Sequence, residues 1–180
     1  MDWPVPEANI PLFNFHTVDP GQAYRSGQPD AVGLKVAIGE LGLRTVLNLR
    51  GEHPGTDWYD AEKAVCDEMG VTHVSYPMSA SSLPPADLLG GILDTLQTAN
   101  YPMLIHCQSG ADRSGAVSAL YRILILGHDK SVAAAEELTP LKLHFRFAKP
   151  CMDTLIEMFE PTPEWLADYA EVVDQTPCSP

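Results

Sequence analysis

Residues 101–126 have the sequence YPMLIHCQSGADRSGAVSALYRILIL, and this stretch carries the strongest sequence evidence for how the chain folds. Its beginning, Tyr101–Ile105, is a short apolar run that contains a proline near its start, which is typical of a buried strand. Its end, Ala116–Leu126, has the length and the alanine and leucine content of a helix. The residues between them include Gly110. The stretch therefore predicts a strand, a loop and a helix in direct succession.

This predicted loop has the properties of a phosphate site. The N-terminus of a helix presents unpaired backbone N–H groups and the positive end of the helix dipole. Successive amides of the loop can converge on phosphate oxygens, and a guanidinium can bind two of those oxygens side by side. We predict that a phosphate or sulfate binds to the following loop residues: Gln108, Ser109, Gly110, Ala111, Asp112 and Arg113.

Cys107 stands at the beginning of the loop and is the predicted nucleophile. A helix N-terminus and an arginine both favour the thiolate over the thiol, and a thiolate that faces phosphorus can attack it. Ser114 directly follows Arg113 and is expected to donate a hydrogen bond to the sulfur when the thiophosphate intermediate is hydrolysed. A nucleotide-binding P-loop is excluded, because Gly115 is followed by Ala116 and Val117 instead of lysine and serine or threonine.

The order His-Cys, five residues, Arg-Ser-Gly resembles the active-site loop of the cysteine-dependent protein tyrosine and dual-specificity phosphatases. Residues 23–29, 45–52 and 70–81 are similar to the small atypical dual-specificity branch of bacteria, plants and fungi, so the likeness covers about Tyr24 to Met158. The resemblance implies that Cys107 is the nucleophile, Arg113 the phosphate clamp and Ser114 the residue that assists thiolate release. It also implies that His106 braces the loop through hydrogen bonds and that Arg50 lies near the site.

The chain departs from that family in the general acid. Members of the family carry an aspartate on a separate loop, which corresponds here to Pro77–Ser82, and this stretch contains no carboxylate. We expect Asp112 to protonate the leaving group instead, because the order Gly-Ala-Asp-Arg resembles the loops of microbial phosphatases that also act on lipid phosphates, in which an in-loop aspartate has been given this role. Asp57 and Asp87 are the competing candidates.

Asp112 has structural alternatives as well. Its carboxylate could cap the helix that begins near Ser114, or it could pair with Arg25 or Arg50. An ion pair between Arg25 and Glu52 is an alternative to a functional role for Arg25. The residues alone leave these possibilities open.

The remaining chain alternates strand-like and helix-like segments. The predicted strands are 23–26, 45–49, 72–76 and 103–106, and helices are predicted over 30–41, 58–69, 84–98, 131–138, 147–158 and 163–173, in addition to the helix after the loop. This order predicts an α/β fold with a mostly parallel sheet of four or five strands, flanked by helices, and a helical C-terminal third. We expect an extended segment over 1–22, one domain over 23–174 and a flexible tail over 175–180.

Composition limits the partners. A net charge of −13, from 24 acidic and 11 basic residues, argues against nucleic acid and against anionic membranes. The histidines and cysteines show no metal-ligand spacing, so no metal or other cofactor is expected. The expected partner is a phosphorylated protein or a small-molecule phosphate.

The sequence also predicts where the protein is located and whether its cysteines are paired. Residues 1–18 do not have the basic and then apolar character of a secretion signal, and no stretch is long enough to insert into a membrane, so the cytoplasm is the expected location. Cys66, Cys151 and Cys178 form no Cys-x-x-Cys pair with each other or with Cys107, and we expect the even number of cysteines to be incidental. Cys66 is expected to belong to the core.

Two other functions compete with a metal-independent phosphatase. The missing acid in residues 77–82 is compatible with a pseudophosphatase that binds phosphorylated partners without turnover. A sulfurtransferase of the rhodanese type also uses a cysteine loop at a helix start, but its loop is typically one residue shorter and lacks the Arg-Ser-Gly ending.

Overall fold

Short apolar runs and amphipathic segments alternate along the chain, and they assemble into a five-stranded sheet with helices on both faces. The structure is a computed structural model that describes residues 9–180. Its strands are β1 His16–Asp19, β2 Ala23–Ser26, β3 Thr45–Asn48, β4 Thr72–Ser75 and β5 Met103–His106. Its helices are α1 Ala31–Leu41, α2 Asp57–Met69, α3 Ala86–Thr98, α4 Asp112–Leu124, α5 Lys130–Glu137, α6 Pro150–Met158 and α7 Trp165–Val172.

The sheet has the strand order β1-β2-β5-β3-β4, and all neighbouring strands are parallel except β1 and β2. The central strand β5 is fully buried and pairs with both β2 and β3. Ligands of such open sheets bind beyond the carboxyl ends of the strands. The loop that follows β5 therefore leaves the sheet at the position where a ligand site is expected, and the predicted fold class is confirmed.

Strand β5 also divides the core into two parts. Because side chains alternate along a strand, Met103 and Ile105 pack into one apolar cluster and Leu104 into the other. The first cluster includes residues of α3, α4, α6 and α7, and the second includes residues of α1 and α2. Cys107 packs with the first cluster. Its neighbour His106 contacts Glu62 of α2, so the two adjacent side chains lie on opposite faces of the sheet.

The observed elements differ from the predicted ones in two places that bear on the site. Helix α4 begins at Asp112, four residues before the predicted start at Ala116, so it already contains Arg113 and Ser114 in its first turn. The segment 1–22, predicted to be extended, includes strand β1, which pairs with β2. Its four residues are mostly half-buried at the sheet edge and give little apolar signal. Residues 1–8 lie outside the described part of the chain.

The C-terminal tail contains a disulfide that was not expected. Cys151, at the start of α6, is bonded to Cys178, so the expectation that the even number of cysteines is incidental is wrong. The bond joins positions 27 residues apart, a separation that carries no sequence signature. Disulfides persist mainly in oxidising compartments, so this bond counts against the cytoplasmic location, which stays a prediction. The domain limits 23–174 and a flexible tail beyond them also stay predictions.

None of the helices in the described part of the chain is long and apolar enough to cross a membrane.

Removing the disulfide should lower stability. We expect Cys178→Ser to lower the free energy of unfolding by about 2–4 kcal/mol, because the bond restricts the unfolded chain. Urea unfolding of the variant and the wild type, with and without a thiol reductant, measures the difference. The two proteins should unfold at the same urea concentration once the wild type is reduced. A difference that persists in reductant would assign the effect to the substitution at position 178 instead of the bond.

Candidate active site

The thiol of Cys107 lies at the floor of the loop, directly after β5. Only 1% of the residue is exposed, so the sulfur is almost completely shielded from solvent. The cysteine is held there because the fully buried strand β5 ends one residue before it and α4 begins five residues after it. The predicted strand, loop and helix thus follow one another as expected.

Arg25, at the third position of β2, holds the outer side of the loop. Its Nη2 donates to the carbonyl oxygens of Gly110 at 2.7 Å and Ala111 at 3.0 Å. Its Nη1 donates to the carboxylate of Glu137, at the end of α5, at 2.7 Å. Both side chains of this ion pair are fully buried. The alternative pairing of Arg25 with Glu52 is therefore wrong, because the guanidinium is directed into the protein behind the loop.

The two preceding carbonyl groups of the loop have donors too. The backbone N–H of Gln28 donates to the oxygen of Gln108 at 3.0 Å. The side-chain amide of Asn14 donates to the oxygen of Ser109 at 3.2 Å. Four successive carbonyl groups, those of residues 108–111, are thus bonded to groups that surround the loop from outside.

These bonds fix the direction of the loop amides. In a planar trans peptide the C=O group and the next N–H group point in opposite directions. Since the carbonyl groups of residues 108–111 bind outward, the N–H groups of residues 109–112 face the inner side of the loop. Together with the N-terminus of α4, they form a set of backbone donors suited to an anion.

Gly110 is required by this arrangement. It has a φ of 71°, which side-chain-bearing residues rarely adopt. A Cβ atom at this position would lie 2.4 Å from the backbone nitrogen of Gly27 and 2.5 Å from the carbonyl carbon of Ser26. The loop passes so close to the end of β2 that only glycine fits.

Two arginines approach the loop from the side of β3. Arg113 is partly buried, and its Nη1 donates to the carbonyl oxygens of Met78 at 3.1 Å and Leu49 at 3.4 Å. The Arg50 guanidinium lies 3.7 Å from the centre of the Trp58 ring. Partial burial and the charge of Arg113 lower the pKa of Arg50. The carbonyl group of Leu49, to which Arg113 donates, belongs to the residue directly before Arg50. Arg50 thus lies near the site.

Ser114 is fully buried in the first turn of α4. Its hydroxyl donates to the carbonyl oxygen of Ser26 at 3.4 Å. The hydrogen bond from Ser114 to the sulfur of Cys107 stays a prediction.

His106 is tied to a buried carboxylate behind the sheet. Its Nε2 donates to Oε1 of Glu62 at 2.8 Å, and its Nδ1 lies 3.3 Å from the carbonyl oxygen of Cys107. Glu62 also accepts from His73 at 2.6 Å and from Gln28 at 2.6 Å. Burial by itself would raise the pKa of Glu62, but His106 and the hydrogen bonds lower it to about 2. This geometry matches a bracing role for His106, and nothing in the sequence indicated Glu62 as its partner.

Asp112 has a partner that sequence reasoning missed. Its Oδ1 lies 2.8 Å from Nδ1 of His144, and Nε2 of His144 lies 2.7 Å from Oδ2 of Asp153 in α6. Burial tends to lower the pKa of His144, but hydrogen bonds and charges from both aspartates raise it to about 9. The alternatives for Asp112 are not found among the described residues: it makes no side-chain cap of α4 and no ion pair with Arg25 or Arg50.

The competing acids are placed differently. Asp57 and Asp87 are exposed in the first turns of α2 and α3, and the Asp87 carboxylate accepts from the N–H of Leu88 at 2.9 Å. In residues 77–82, Ser81 accepts from the ammonium of Lys149 at 2.8 Å. The Lys149 ammonium therefore contacts the stretch in which the resembled phosphatases carry their aspartate.

Cys66 is fully buried in α2. Burial, together with the charges of Glu62 and Asp67, raises the pKa of its thiol to about 12. The predicted core role of Cys66 agrees with this environment, and Cys107 is the other free cysteine in the described chain.

Comparison with known proteins gives consistent matches. A family model described as the tyrosine phosphatase family matches residues 9–162. The dual specificity protein phosphatase TpbA of Pseudomonas aeruginosa is 31% identical over 132 residues, which cover 72% of this chain and 56% of that protein. The inositol diphosphatase DSP1 of Oryza sativa is 34% identical over 120 residues, which cover 64% of this chain and 51% of that protein. The chain thus spans about half the length of these curated relatives.

A solved structure of similar fold is the core catalytic domain of the PP-IP phosphatase SIW14 from S. cerevisiae in complex with citrate. It has a TM-score of 0.66 and 26% sequence identity, and the alignment covers 90% of this chain and 94% of that chain.

We expect Gly110→Ala to disrupt the loop. The added Cβ meets backbone atoms that cannot move easily, and its φ is strained, so phosphate binding measured by calorimetry should fall below detection. Gly39→Ala is the matched control, because no atom lies within 4 Å of the added Cβ. This control should bind phosphate as the wild type does. Normal binding by Gly110→Ala would contradict the backbone cradle.

Glu62 should make stability depend on pH in the acid range. Its pKa is about 2 in the folded chain and 4.5 ordinarily, so its contribution is present above about pH 4.5 and is lost as the pH falls toward 2. The free energy of unfolding of the wild type should fall by about 3 kcal/mol more than that of Glu62→Gln over this range. Denaturant unfolding at a series of pH values measures it. Glu68→Gln, at an exposed ion pair, should follow the wild type. Parallel curves for Glu62→Gln and the wild type would contradict the ionised buried carboxylate.

Proposed function

We propose, from the premise that this chain belongs to the tyrosine phosphatase family, that it hydrolyses phosphomonoesters through a cysteinyl-phosphate intermediate on Cys107, without a metal. The observation that carries the proposal is the outward bonding of the four carbonyl groups of residues 108–111. It directs the loop amides inward at the place where the Cys107 thiol and the first turn of α4 meet. Such a site can hold three phosphate oxygens and present phosphorus to sulfur.

The proposed first step is in-line attack. The Cys107 thiolate forms an S–P bond while the bond between phosphorus and the leaving-group oxygen breaks. Arg113 and the loop amides hold the charge on the equatorial oxygens, and Asp112 gives a proton to the leaving oxygen. Arg113 is pre-oriented for this task because two carbonyl oxygens already fix its guanidinium.

The proposed second step hydrolyses the intermediate. A water molecule attacks phosphorus, the S–P bond breaks, and the sulfur departs as a thiolate, with Ser114 donating a hydrogen bond to it. One proton of the water returns to Asp112, and inorganic phosphate leaves the loop. The chain thus ends each cycle as it began.

The substrate class we propose is broad: phosphotyrosine, phosphoserine and phosphothreonine, or inositol and lipid phosphates. The relatives support both types, since one is named a dual specificity protein phosphatase and another an inositol diphosphatase. Arg50, beside Arg113, adds a second cation that can contact a further anionic group of the substrate.

A pseudophosphatase is the second candidate function. It is favoured by one observation: residues 77–82 contain no carboxylate, and Ser81 there faces Lys149. Such a protein would use the loop only to bind phosphorylated partners. Turnover of a simple substrate distinguishes it from the enzyme.

The test is hydrolysis of para-nitrophenyl phosphate in the presence of a chelator. We expect the wild type to release inorganic phosphate, and Cys107→Ser to lose turnover while it still binds phosphate. Arg113→Lys should weaken both, because an ammonium cannot reproduce the planar two-point contact. Cys66→Ser is the matched control and should keep activity if it folds. Phosphate binding without any turnover by the wild type would establish the pseudophosphatase, and full activity of Cys107→Ser would rule out the cysteine mechanism.

A further inference from the structure

The side chains of Asp112, His144 and Asp153 form a continuous chain of hydrogen bonds that starts in the loop and ends in α6. The two N···O distances are 2.8 Å and 2.7 Å. His144 is 1% exposed, whereas the Asp112 side chain is 19% exposed. The Asp153 side chain is 11% exposed, so the Asp112 end of the chain, which lies in the loop, is the more open of the two ends.

The geometry fixes how many hydrogens these three groups hold. A carboxylate oxygen can only accept a hydrogen bond unless it is protonated, and each imidazole nitrogen either donates or accepts. The two short N···O contacts therefore need two hydrogens. Either both hydrogens are bonded to the imidazole of His144, or one is bonded to the imidazole and the other to a carboxyl group. In both cases the three groups together carry a charge of −1 and contain one transferable proton.

The backbone places His144 in this position at a cost. Leu143, directly before it, has a φ of 67°, in the left-handed region that is unfavourable for a branched residue. The N–H of His144 also donates to the carbonyl oxygen of Thr139 at 3.1 Å. Leu143 ends the 3₁₀ turn of residues 140–142, and its N–H donates to the carbonyl oxygen of Pro140, so the end of this turn sets the position of His144.

We propose that His144 and Asp153 supply the proton that Asp112 gives to the leaving group, so that the three residues act as one proton store. This inference rests on the proposed function. Asp112 is the residue that contacts the leaving oxygen, and His144 and Asp153 are positioning residues that act through it. The arrangement replaces the carboxylate that residues 77–82 lack.

The proton balance closes over the two steps. When the bond between phosphorus and the leaving oxygen breaks, the proton on Nδ1 of His144 moves to Asp112 and Asp112 passes it on to that oxygen, which leaves His144 neutral and Asp112 ionised. When water attacks the cysteinyl phosphate, one proton of the water passes to Asp112 and on to His144. No oxidant, reductant or further reactant takes part.

Charged groups around the three residues act on this proton in opposite directions: the two aspartates favour its retention on His144, whereas nearby arginines favour its loss. Arg25 acts on Asp112, and Arg146 acts on Asp153. The two aspartates raise the pKa of His144 to about 9, so the store is filled at neutral pH. It empties as the pH rises through about 9, and activity that depends on it should fall over the same range.

The experiment compares two substrates that differ in their leaving group. Phenyl phosphate needs a general acid much more than para-nitrophenyl phosphate does, because phenolate is the poorer leaving group. We expect His144→Gln to lower kcat on phenyl phosphate by about 10²-fold or more, and on para-nitrophenyl phosphate by less than about tenfold. Asp112→Asn should show the same selectivity. The double variant should be no slower than Asp112→Asn alone, since residues that act in series are not additive.

The pH profile and two further variants complete the test. The wild type should lose activity on phenyl phosphate as the pH rises through about 9. This alkaline limb of the pH–activity profile should be absent in His144→Gln. Asp153→Asn should move the limb to lower pH, because it removes one carboxylate that holds the proton. This variant also serves if His144→Gln does not fold. His128→Gln, in the turn after α4, is the matched control and should leave the ratio of the two substrates unchanged.

The outcomes separate the two proposals. An equal loss on both substrates, with an unchanged pH profile, would make His144 a structural residue and overturn the proton store alone. Absence of Cys107-dependent hydrolysis by the wild type would overturn the proposed function, and the proton store with it.

Discussion

A loop that binds an anion through its backbone must turn its carbonyl oxygens outward, and each of those oxygens then needs a donor within the protein. A buried carbonyl group without a donor costs about 1–3 kcal/mol. Arg25 supplies two of the four donors and is itself fully buried, which is tolerated because Glu137 neutralises it. The inner surface of the site therefore depends on an ion pair that no substrate touches. Strand β2 and helix α5 are part of the site for this reason.

The charge of the site is local and opposes that of the whole chain. The net charge is −13, yet Arg25, Arg50 and Arg113 all lie around the loop. Exposed charges are screened over a Debye length of about 8 Å, so distant carboxylates have little effect on an anion in the loop. The nearby carboxylates all have partners: Glu137 binds Arg25, Glu62 binds two histidines and a glutamine, and Asp112 pairs with His144. They stabilise the framework instead of repelling a phosphate.

The helical C-terminal third covers the sheet and also contributes residues to the candidate site. It provides Glu137 from α5, His144 from the segment before α6 and Asp153 from α6 itself. These residues reach the loop from one side, while Glu62 and Gln28 brace it from the other. The loop is thus fixed between two groups of buried polar contacts on opposite faces of the sheet. This rigidity is useful for a site that works by orienting donors in advance.

The sequence by itself determined the α/β class, the four parallel strands and the succession of strand, loop and helix, and it placed Cys107 and Arg113 at the two ends of that loop. Short-range periodicity and the spacing of a local motif encode all of these. It did not determine β1, whose four residues give a weak signal at the sheet edge. The partners of Arg25, His106, Asp112 and Cys151 lie 112, 44, 32 and 27 residues away, respectively. Only the tertiary structure decided these pairings, since contacts between distant segments depend on how the helices pack against the sheet and leave no local pattern in the chain.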